Sequence, residues 1–337
     1  MDAFAAPGTL RLKANRLAAL ALWRDLALLL STDEDTTIAQ PELIALLAEA
    51  YMRAGRARDA HAWLARTMHV IRRRGDRVVL RRAVNLLGAA QFELGELDGA
   101  RDAFERALQL GREDGDDLLT ARAMNNLGAI CNVRGEREQA LALYMLALAA
   151  YQGLGHALGQ AESSHNMAIT FRQLGQLARA DDCERRAIEF SREAGSVRLL
   201  ALASVGRAEI SLAQGDVQLA EAAAVRAVRQ FAAIPDPVQE TGALRLVGEA
   251  RLAQGRGEAA KEALDEALDL ARAHGSALDE AEILRVRATE RLWTGDAAAA
   301  RSDACAAMAI FGRLDAGEER AALERWIATL PSAGRTP

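Results

Sequence analysis

The residue types that most often carry catalysis or metal binding are few and widely spaced in this chain. Its five histidines form no His-x-x-x-His pair and no His-Glu-x-x-His motif, and its three cysteines form no Cys-x-x-Cys pair. The sequence also contains neither a Gly-x-Ser-x-Gly nucleophile motif nor a Gly-x-x-x-x-Gly-Lys-Ser/Thr phosphate loop. We therefore expect no enzyme activity, no bound metal and no cofactor.

The cysteines also bear on the compartment. Cys131, Cys183 and Cys305 are odd in number and far apart, which favours reduced thiols over a disulfide framework. The apolar segment over residues 17–30 is too short to span a bilayer, and no signal-peptide cleavage site follows it. These features predict a cytoplasmic protein with no membrane partner.

The composition excludes disorder for most of the chain and favours helices. Half of the 337 residues are hydrophobic, whereas only 4% are aromatic and only six are proline. Alanine is used heavily, and alanine is the best helix former. An alanine-rich, proline-poor chain suits closely packed helices better than it suits a β-sandwich.

Charge is distributed unevenly along the chain. The net charge is −5, but the first 82 residues contain 14 basic and 9 acidic residues, and the densest basic segment covers residues 72–82. Contact with nucleic-acid phosphates is one interpretation, and a solvated helix end, whose negative pole favours cations, is the other. Because the chain is acidic overall and no aromatic residue is interleaved with these arginines, we favour the helix end. We expect no nucleic-acid partner.

Small residues recur with a period of 40 residues. A glycine occurs at this spacing seven times, from Gly55 to Gly295. An alanine follows each of these glycines by five residues, and a glycine or alanine precedes each by seven, as Ala140 and Gly128 do for Gly135. Such a fixed period is the signature of a repeat architecture.

Each period predicts two helices. In the second period, apolar residues with helical spacing run over residues 77–94 and again over residues 97–113. A second series of glycines, such as Gly75 and Gly115, closes the second helix, because glycine adopts the left-handed conformation at a helix end without a Cβ penalty. Asp76 is then placed to cap the helix that follows.

These small residues on paired helices resemble the tetratricopeptide repeat (TPR). The third period carries the pattern at Gly128, Gly135, Ala140, Tyr144 and Ala147. The 40-residue period exceeds the common 34 and is similar to a long-helix subclass found in spindle-orientation adaptors, kinesin light chains and bacterial TPR regulators. The resemblance implies an all-α, right-handed superhelical solenoid of seven helix-turn-helix repeats.

The repeats also define the expected domain organisation. Residues 41–315 are predicted to form the seven-repeat array. Residues 1–40 are predicted to hold an N-terminal capping helix, over residues 9–30, and an acidic loop. A C-terminal capping helix is expected over residues 316–330 and a disordered tail over residues 331–337. Solenoids need polar-backed ends of this kind for solubility.

The first helix of each repeat is expected to line the concave side of the array. Side chains opposite the second helix lie two and six residues before the small residue and one and five after it, and the side chain three before it lies at the shoulder. We predict that polar residues at these positions bind a partner peptide: Arg53, Arg82, Asn85, Arg122, Asn125, Asn126, Asn166, Gln173, Arg245 and Arg285.

The chemistry of asparagine and arginine supports this prediction. Asparagine is a middling helix former, so its recurrence within successive helices needs a reason. Its amide can donate to and accept from a peptide main chain, and arginine can bind a carboxylate through two hydrogen bonds. The resemblance to adaptor TPR proteins implies the same use. The alternative is that the amides bond to the neighbouring helix pair and stabilise the stack.

The sequence therefore predicts a non-catalytic adaptor or scaffold that binds a partner peptide or helix, of acidic or mixed charge, in its groove. The alternative is a ligand- or peptide-responsive sensor that acts on a separate output protein, as bacterial TPR regulators do. Association of two copies through the termini is also compatible with the sequence.

Overall fold

The computed structural model describes residues 7–234, 237–314 and 316–330, and within these ranges the protein is all-α. Eighteen helices make up the regular structure of the described residues, and no strand occurs among them. The tail that the sequence predicts over residues 331–337 lies outside the described residues. The chain forms two compact units, residues 1–159 and 160–337, and the boundary between them falls in α10.

The first unit contains three N-terminal helices and three helix pairs. Its helices are α1 (Pro7–Ala19), α2 (Trp23–Thr32), α3 (Glu34–Ile38), α4 (Pro41–Arg53), α5 (Ala57–Arg74), α6 (Arg77–Glu93), α7 (Leu97–Asp114), α8 (Asp117–Val133) and α9 (Arg137–Gly153). The remaining helices are α10 (Ala157–Gln173), α11 (Leu177–Glu193), α12 (Val197–Gln214), α13 (Val217–Ala232), α14 (Pro237–Ala253), α15 (Gly257–His274), α16 (Ala277–Trp293), α17 (Ala297–Arg313) and α18 (Gly317–Thr329).

The helix ends follow the predicted capping chemistry. Gly75 and Gly115 have φ angles of 70° and 64°, the left-handed conformation in which glycine carries no Cβ penalty. The aspartate after each glycine caps the next helix. Asp76 Oδ1 accepts the Val79 backbone N–H at 3.0 Å, and Asp116 accepts from the third residue after it in the same way.

The small residues lie where the two helices of a repeat cross. A Cβ atom on Gly88 would be 2.7 Å from Cε1 of Phe104, and in the next repeat Gly128 stands in the same relation to Tyr144. Ala140, on the facing helix of that repeat, is fully buried. The rings fill the space that the glycines leave open, so the paired helices pack closely, as the period predicts.

Neighbouring repeats contact one another through both of their helices. In the first unit α5 contacts α6 and α7 contacts α8, while the first helices α4, α6 and α8 also contact each other in that order. In the second unit α12, α14 and α16 form the equivalent series. Within each unit the helix pairs therefore stack as in a TPR-like solenoid.

The N-terminal segment differs from the prediction of one helix over residues 9–30. The helix breaks at Ala21, whose φ of 54° is the left-handed conformation, and the Leu22 N–H bonds to the Leu17 carbonyl across the break. The break lets α2 contact α4. Both α1 and α2 contribute to one hydrophobic core, α1 through Leu10 and α2 through Leu26. Alanine rather than glycine takes the left-handed position, so the sequence carries no turn signal here.

The predicted acidic loop that follows is also partly helical. Residues 34–38 form the short helix α3, and Asp33 Oδ1 caps it by accepting the Thr36 N–H at 3.1 Å. The Thr37 hydroxyl is fully buried and donates to the Leu30 carbonyl at 2.9 Å. Local capping and one buried side chain thus give this segment a fixed structure.

The C-terminal end of the described chain is a single helix. α18 contacts α17, buries Leu323 and adds the half-buried Trp326 to the core of the last repeat. Arg301 donates to the Leu330 carbonyl at 3.2 Å, which fastens the end of α18 to the last pair.

Candidate partner-binding surface

The predicted binding residues lie on the surface of the first helices that their own second helices leave uncovered. We call this surface the A face and describe it for each unit separately. In the first unit it is formed by α4, α6 and α8, and in the second by α12, α14, α16 and α10 from residue 160 onwards. No helix among the described residues is long and apolar enough to cross a membrane.

Two predicted arginines of the first unit already have a carboxylate partner. Arg82 on α6 forms an ion pair with Glu49 on α4, and Arg53 Nε lies 3.7 Å from the other oxygen of the same carboxylate. The Arg53 guanidinium also lies 5.8 Å from the ring centroid of Trp23. Glu49 is not among the predicted binding residues, although it follows the small residue Ala48 and so occupies an uncovered register position.

Two of the predicted asparagines of this unit, Asn85 and Asn126, bond to each other. Asn126 Nδ2 on α8 donates to Asn85 Oδ1 on α6 at 3.4 Å. This contact joins neighbouring first helices, as the alternative interpretation of these amides requires. Both side chains are half-buried, so each retains an accessible edge.

Asn125 is buried, with only 6% of its surface exposed, and it interacts within the chain. The prediction placed it at the shoulder of α8, three residues before Gly128. Three residues correspond to a rotation of about 300°, which leaves the side chain only about 60° from the direction of the buried glycine. Asn125 is therefore turned towards the core and not towards a partner.

Arg122 is the predicted binding arginine whose positive charge remains available to a partner. Its side chain is exposed, and the described part of the chain offers it no hydrogen-bond or ion-pair partner. It lies close enough to His156 to affect that ring: burial first, and then the Arg122 charge, lowers the pKa of His156. His156 Nδ1 accepts the Gly159 N–H at 3.0 Å, and its ring stacks on Tyr151 with the centroids 5.3 Å apart.

Half of the arginines in the basic segment at residues 72–82 pair with carboxylates. Arg77 Nη2 lies 2.9 Å from Glu113 and 2.6 Å from Asp114 at the end of α7, and Arg81 also pairs with Asp114. These ion pairs join the start of one repeat to the end of its second helix. They account for part of the basic segment, and residues 72–74 lie in the last turn of α5, as the helix-end interpretation expects.

The A face of the second unit carries its charges in internal pairs. Arg172 Nη2 on α10 lies 2.9 Å from Glu209 Oε2 on α12. The predicted binding residues Arg245 and Arg285 pair with carboxylates of their own helices, Arg245 with Glu249 and Arg285 with Glu282, the latter at 2.7 Å. Glutamates therefore accompany every arginine that the sequence analysis selected in this unit.

The two amides that the prediction placed on α10 differ in exposure. Asn166 is half-buried and interacts within the chain, whereas Gln173 is exposed near the end of the helix. Between them α10 carries Arg172, already engaged with Glu209. The predicted amide ladder thus continues on α10 only in part.

A buried ion pair that the sequence did not predict lies beneath this part of α10. His165 Nδ1 is 2.9 Å from Oε1 and 3.1 Å from Oε2 of Glu184, whose side chain is only 1% exposed. Glu184 occupies the register of Phe104 and Tyr144 in earlier repeats. A carboxylate at an aromatic core position was the signal that could have identified it.

Comparison with known proteins places one part of the chain in a family. A sequence model described as tetratricopeptide repeat matches residues 115–193, which span α8 to α11. This part of the chain therefore consists of tetratricopeptide repeats (TPR). No curated protein sequence matches this TPR protein.

Solved structures share the fold of this TPR protein along nearly its whole length. A Rap protein complexed with Competence and Sporulation Factor is 14% identical, with a TM-score of 0.63, and the match covers 96% of this chain and 97% of that one. The apo form of the quorum sensor NprR from B. thuringiensis is also 14% identical, with a TM-score of 0.60 and coverage of 95% and 97%. At these identities the likeness shows a common fold.

A third solved structure matches over a smaller share. It is a Signal Transduction ATPase with Numerous Domains protein from Pyrococcus horikoshii, which has a tetratricopeptide repeat sensor. The two chains are 17% identical with a TM-score of 0.58, and the match covers 77% of the TPR protein but only 41% of the ATPase. The TPR protein therefore spans about two fifths of that protein's length.

The described residues of the TPR protein contain no group of three or more histidine, cysteine or acidic side chains that could hold a metal ion. Cys131 is buried, and burial raises the pKa of its thiol first, with a smaller contribution from Glu136. Such a thiol is a poor nucleophile because the thiolate is the reactive form.

Proposed function

We propose that this TPR protein is a non-catalytic adaptor that binds a peptide or helix of a partner protein on the A face of its first unit. The observation that carries the proposal is Arg122, an exposed guanidinium without an internal partner on a helix whose neighbours hold paired charges. An unpaired cation of this kind can bind a carboxylate bidentately. The partner segment is accordingly acidic or of mixed charge.

The half-buried amides beside Arg122 supply a second type of contact. Asn126 lies one helical turn along α8 from Arg122, and its bond to Asn85 fixes the orientation of both amides. An amide held in place costs less conformational entropy when it binds a peptide main chain than a free one does. Arg122 would therefore select peptides by their charge. Asn85 and Asn126 would bind the peptide backbone, in an extended or helical conformation.

The other predicted arginines have a smaller role in this proposal. A partner carboxylate at Arg82 or Arg53 has to compete with Glu49, and at Arg245 or Arg285 with a glutamate of the same helix. Exchange of one exposed ion pair for another changes the free energy little. We also propose a cytoplasmic location, because the three cysteines are unpaired.

The experiment is a binding measurement with an array of immobilised synthetic peptides of acidic, mixed and basic composition. Replacing Arg122 with alanine should weaken retention of the acidic and mixed peptides by roughly 10- to 150-fold, because a charge-assisted contact contributes about 1.5–3 kcal/mol. The matched control is Arg112→Ala, which removes an exposed arginine from α7. Equal effects of the two changes, or a lack of retained peptides, would overturn the proposal.

The second candidate function is a peptide-responsive regulator that acts on a separate output protein. It is favoured by the likeness, over nearly the whole chain, to a Rap protein complexed with Competence and Sporulation Factor and to the quorum sensor NprR. The two candidates differ in what a bound peptide does. For an adaptor, a peptide that is retained on the array should leave binding of other proteins unchanged at sites outside the A face, whereas for a regulator it should alter such binding.

A further inference from the structure

The fourth helix pair, α10 with α11, has an ion pair where other repeats have an apolar contact. Phe104, Tyr144 and Leu264 occupy one register position on the second helices and pack against glycines of the first helices. In the fourth repeat that position is Glu184, and its carboxylate is fully enclosed, with 1% of the side chain exposed. His165, on the facing helix, holds the carboxylate through both of its oxygens.

The neighbouring helix is shaped to accept this carboxylate. A Cβ atom on Gly206, in α12, would lie 2.0 Å from Oε1 of Glu184, so any larger residue there would displace the carboxylate. The other charged groups that act on the pair are Arg172 of α10 and Glu209 of α12, which neutralise each other at 2.9 Å. The imidazole is therefore the cation that balances Glu184.

Both groups bind protons more tightly in the folded chain than in the unfolded chain. Burial alone would lower the pKa of His165, but the charge of Glu184 and its hydrogen bond outweigh burial, and the pKa is raised. Burial raises the pKa of Glu184 in spite of His165. Since both pKa values are raised, folding of this repeat takes up protons. The stabilisation from Glu184 is lost as the pH rises above the ordinary glutamate value of about 4.3, and that from His165 as the pH rises above the ordinary histidine value of about 6.5.

We propose that the helix pair α10–α11 is a proton-controlled element, in which protonated His165 holds Glu184 in the core and loss of the proton loosens α10 from α11. Among the described histidines, His165 is enclosed with a carboxylate, whereas the His61–Glu96 pair of the first unit is wider, at 3.7 Å, and open to solvent. A neutral imidazole would leave an uncompensated charge in the core, and the repeat can relieve that cost by opening.

The A face of the second unit would respond to this element. α10 carries Asn166, Arg172 and Gln173, so a loosened α10 presents these side chains with less order to any partner. This consequence rests on an extension of the proposed function, because it needs a partner that also uses the A face of the second unit. The control of α10 by protons does not depend on that partner.

Hydrogen exchange and NMR test the element in the whole chain without a ligand. Protection factors of α10 and α11 should fall by at least about tenfold between about pH 6 and about pH 8.5, while those of α16 and α17 change less than about threefold. In ¹³Cε1 spectra the His165 ring should titrate above the ordinary value of about 6.5. Titration at or below that value, or equal changes in both helix pairs, would overturn the proposal.

Substitutions test whether the pH dependence comes from the His165–Glu184 ion pair. Glu184→Leu introduces the residue that the sixth repeat has at this position, and it should remove the difference in protection between the two pH values. His61→Asn is the matched control and should leave the difference unchanged. If Glu184→Leu folds and its protection still depends on pH, the proposal is wrong. If Glu184→Leu does not fold, the titration of His165 in the wild-type protein decides whether the helix pair is controlled by protons.

Peptide retention measured at two pH values distinguishes this proposal from the proposed function. Peptides that lose retention on Asn166→Ala should be retained less at about pH 8.5 than at about pH 6. If no peptide is retained at either pH, the proposed function fails while the exchange data still decide on proton control. If peptides are retained but α10 and α11 show no pH-dependent protection, the proton-controlled element is excluded and the adaptor function stands.

Discussion

Tyr144 places the edge of its ring where a side chain on Gly128 would have to lie. The distance from the ring atom Cε1 to an ideal Cβ on Gly128 is 2.7 Å, which is shorter than a van der Waals contact. The ring itself is buried, so it cannot move into solvent. The third repeat is thus built around the absence of one methyl group.

Gly128→Ala should overpack this crossing and destabilise the repeat by about 1–3 kcal/mol. Because each repeat contacts only its neighbours, hydrogen-exchange protection should fall most in α8 and α9. The control is Gly153→Ala at the end of α9, where a Cβ would meet nothing within 4 Å. Equal loss of protection in α8 and α17 would contradict the nearest-neighbour description.

Glu49→Gln should free both Arg82 and Arg53 for a partner. Retention of acidic peptides should then rise by about two- to fivefold, the equivalent of an exposed ion pair of up to about 1 kcal/mol. Glu105→Gln, on the outer surface of α7, is the matched control and should leave retention unchanged. A fall in retention after Glu49→Gln would show that Glu49 itself contacts the partner.

Acid should loosen the junction between α6 and α7. Hydrogen bonds from Arg77 and then Arg81 hold the pKa of Asp114 below its ordinary value. The stabilisation is therefore complete above about pH 4 and is lost as the pH falls through the lowered pKa. Asp114→Asn should reduce exchange protection of α6 at neutral pH and weaken its dependence on acid, whereas Asp102→Asn, on an exposed position of the same helix, should do neither.

Deleting residues 316–337 should lower the solubility of the protein. The deletion removes α18 and bares the surface of α17 that Leu323 covers, and exposed apolar patches on the end of a solenoid promote association. Light scattering of the truncated chain measures the effect, with deletion of residues 331–337 alone as the control. A truncated chain as soluble as the parent would assign α18 a role other than protecting the end.

The repeat architecture could be predicted from the sequence because glycine and alanine are selected by local geometry. A left-handed residue such as Gly75, or a crossing point such as Gly128, tolerates few other residue types, so the requirement is visible in the sequence at each period. The break at Ala21 could not be predicted in this way. Its conformation is imposed by the packing of α2 on α4, and alanine does not signal it.

The candidate site was predictable in position but not in electrostatics. Helical periodicity placed Arg82, Arg122 and Asn126 on an uncovered surface, and the structure leaves all three at least partly accessible. Whether Arg82 is free depends on Glu49, which is about one repeat away in sequence. The helical spacing within one repeat does not reveal such a partner. It also does not reveal whether a side chain near the edge of the core is buried, as Asn125 is.

The contacts that join neighbouring repeats have a consequence for the order in which the chain folds. In the first unit Arg82 bonds to a residue 33 positions away and Asn126 to one 41 positions away, and within one repeat Arg77 bonds to a residue 37 positions away. These separations correspond to about one repeat, so contact order is low for a chain of this length. A repeat leaving the ribosome therefore finds its docking partner already synthesised, and we expect the helix pairs to assemble in sequence during translation, without waiting for the C-terminus.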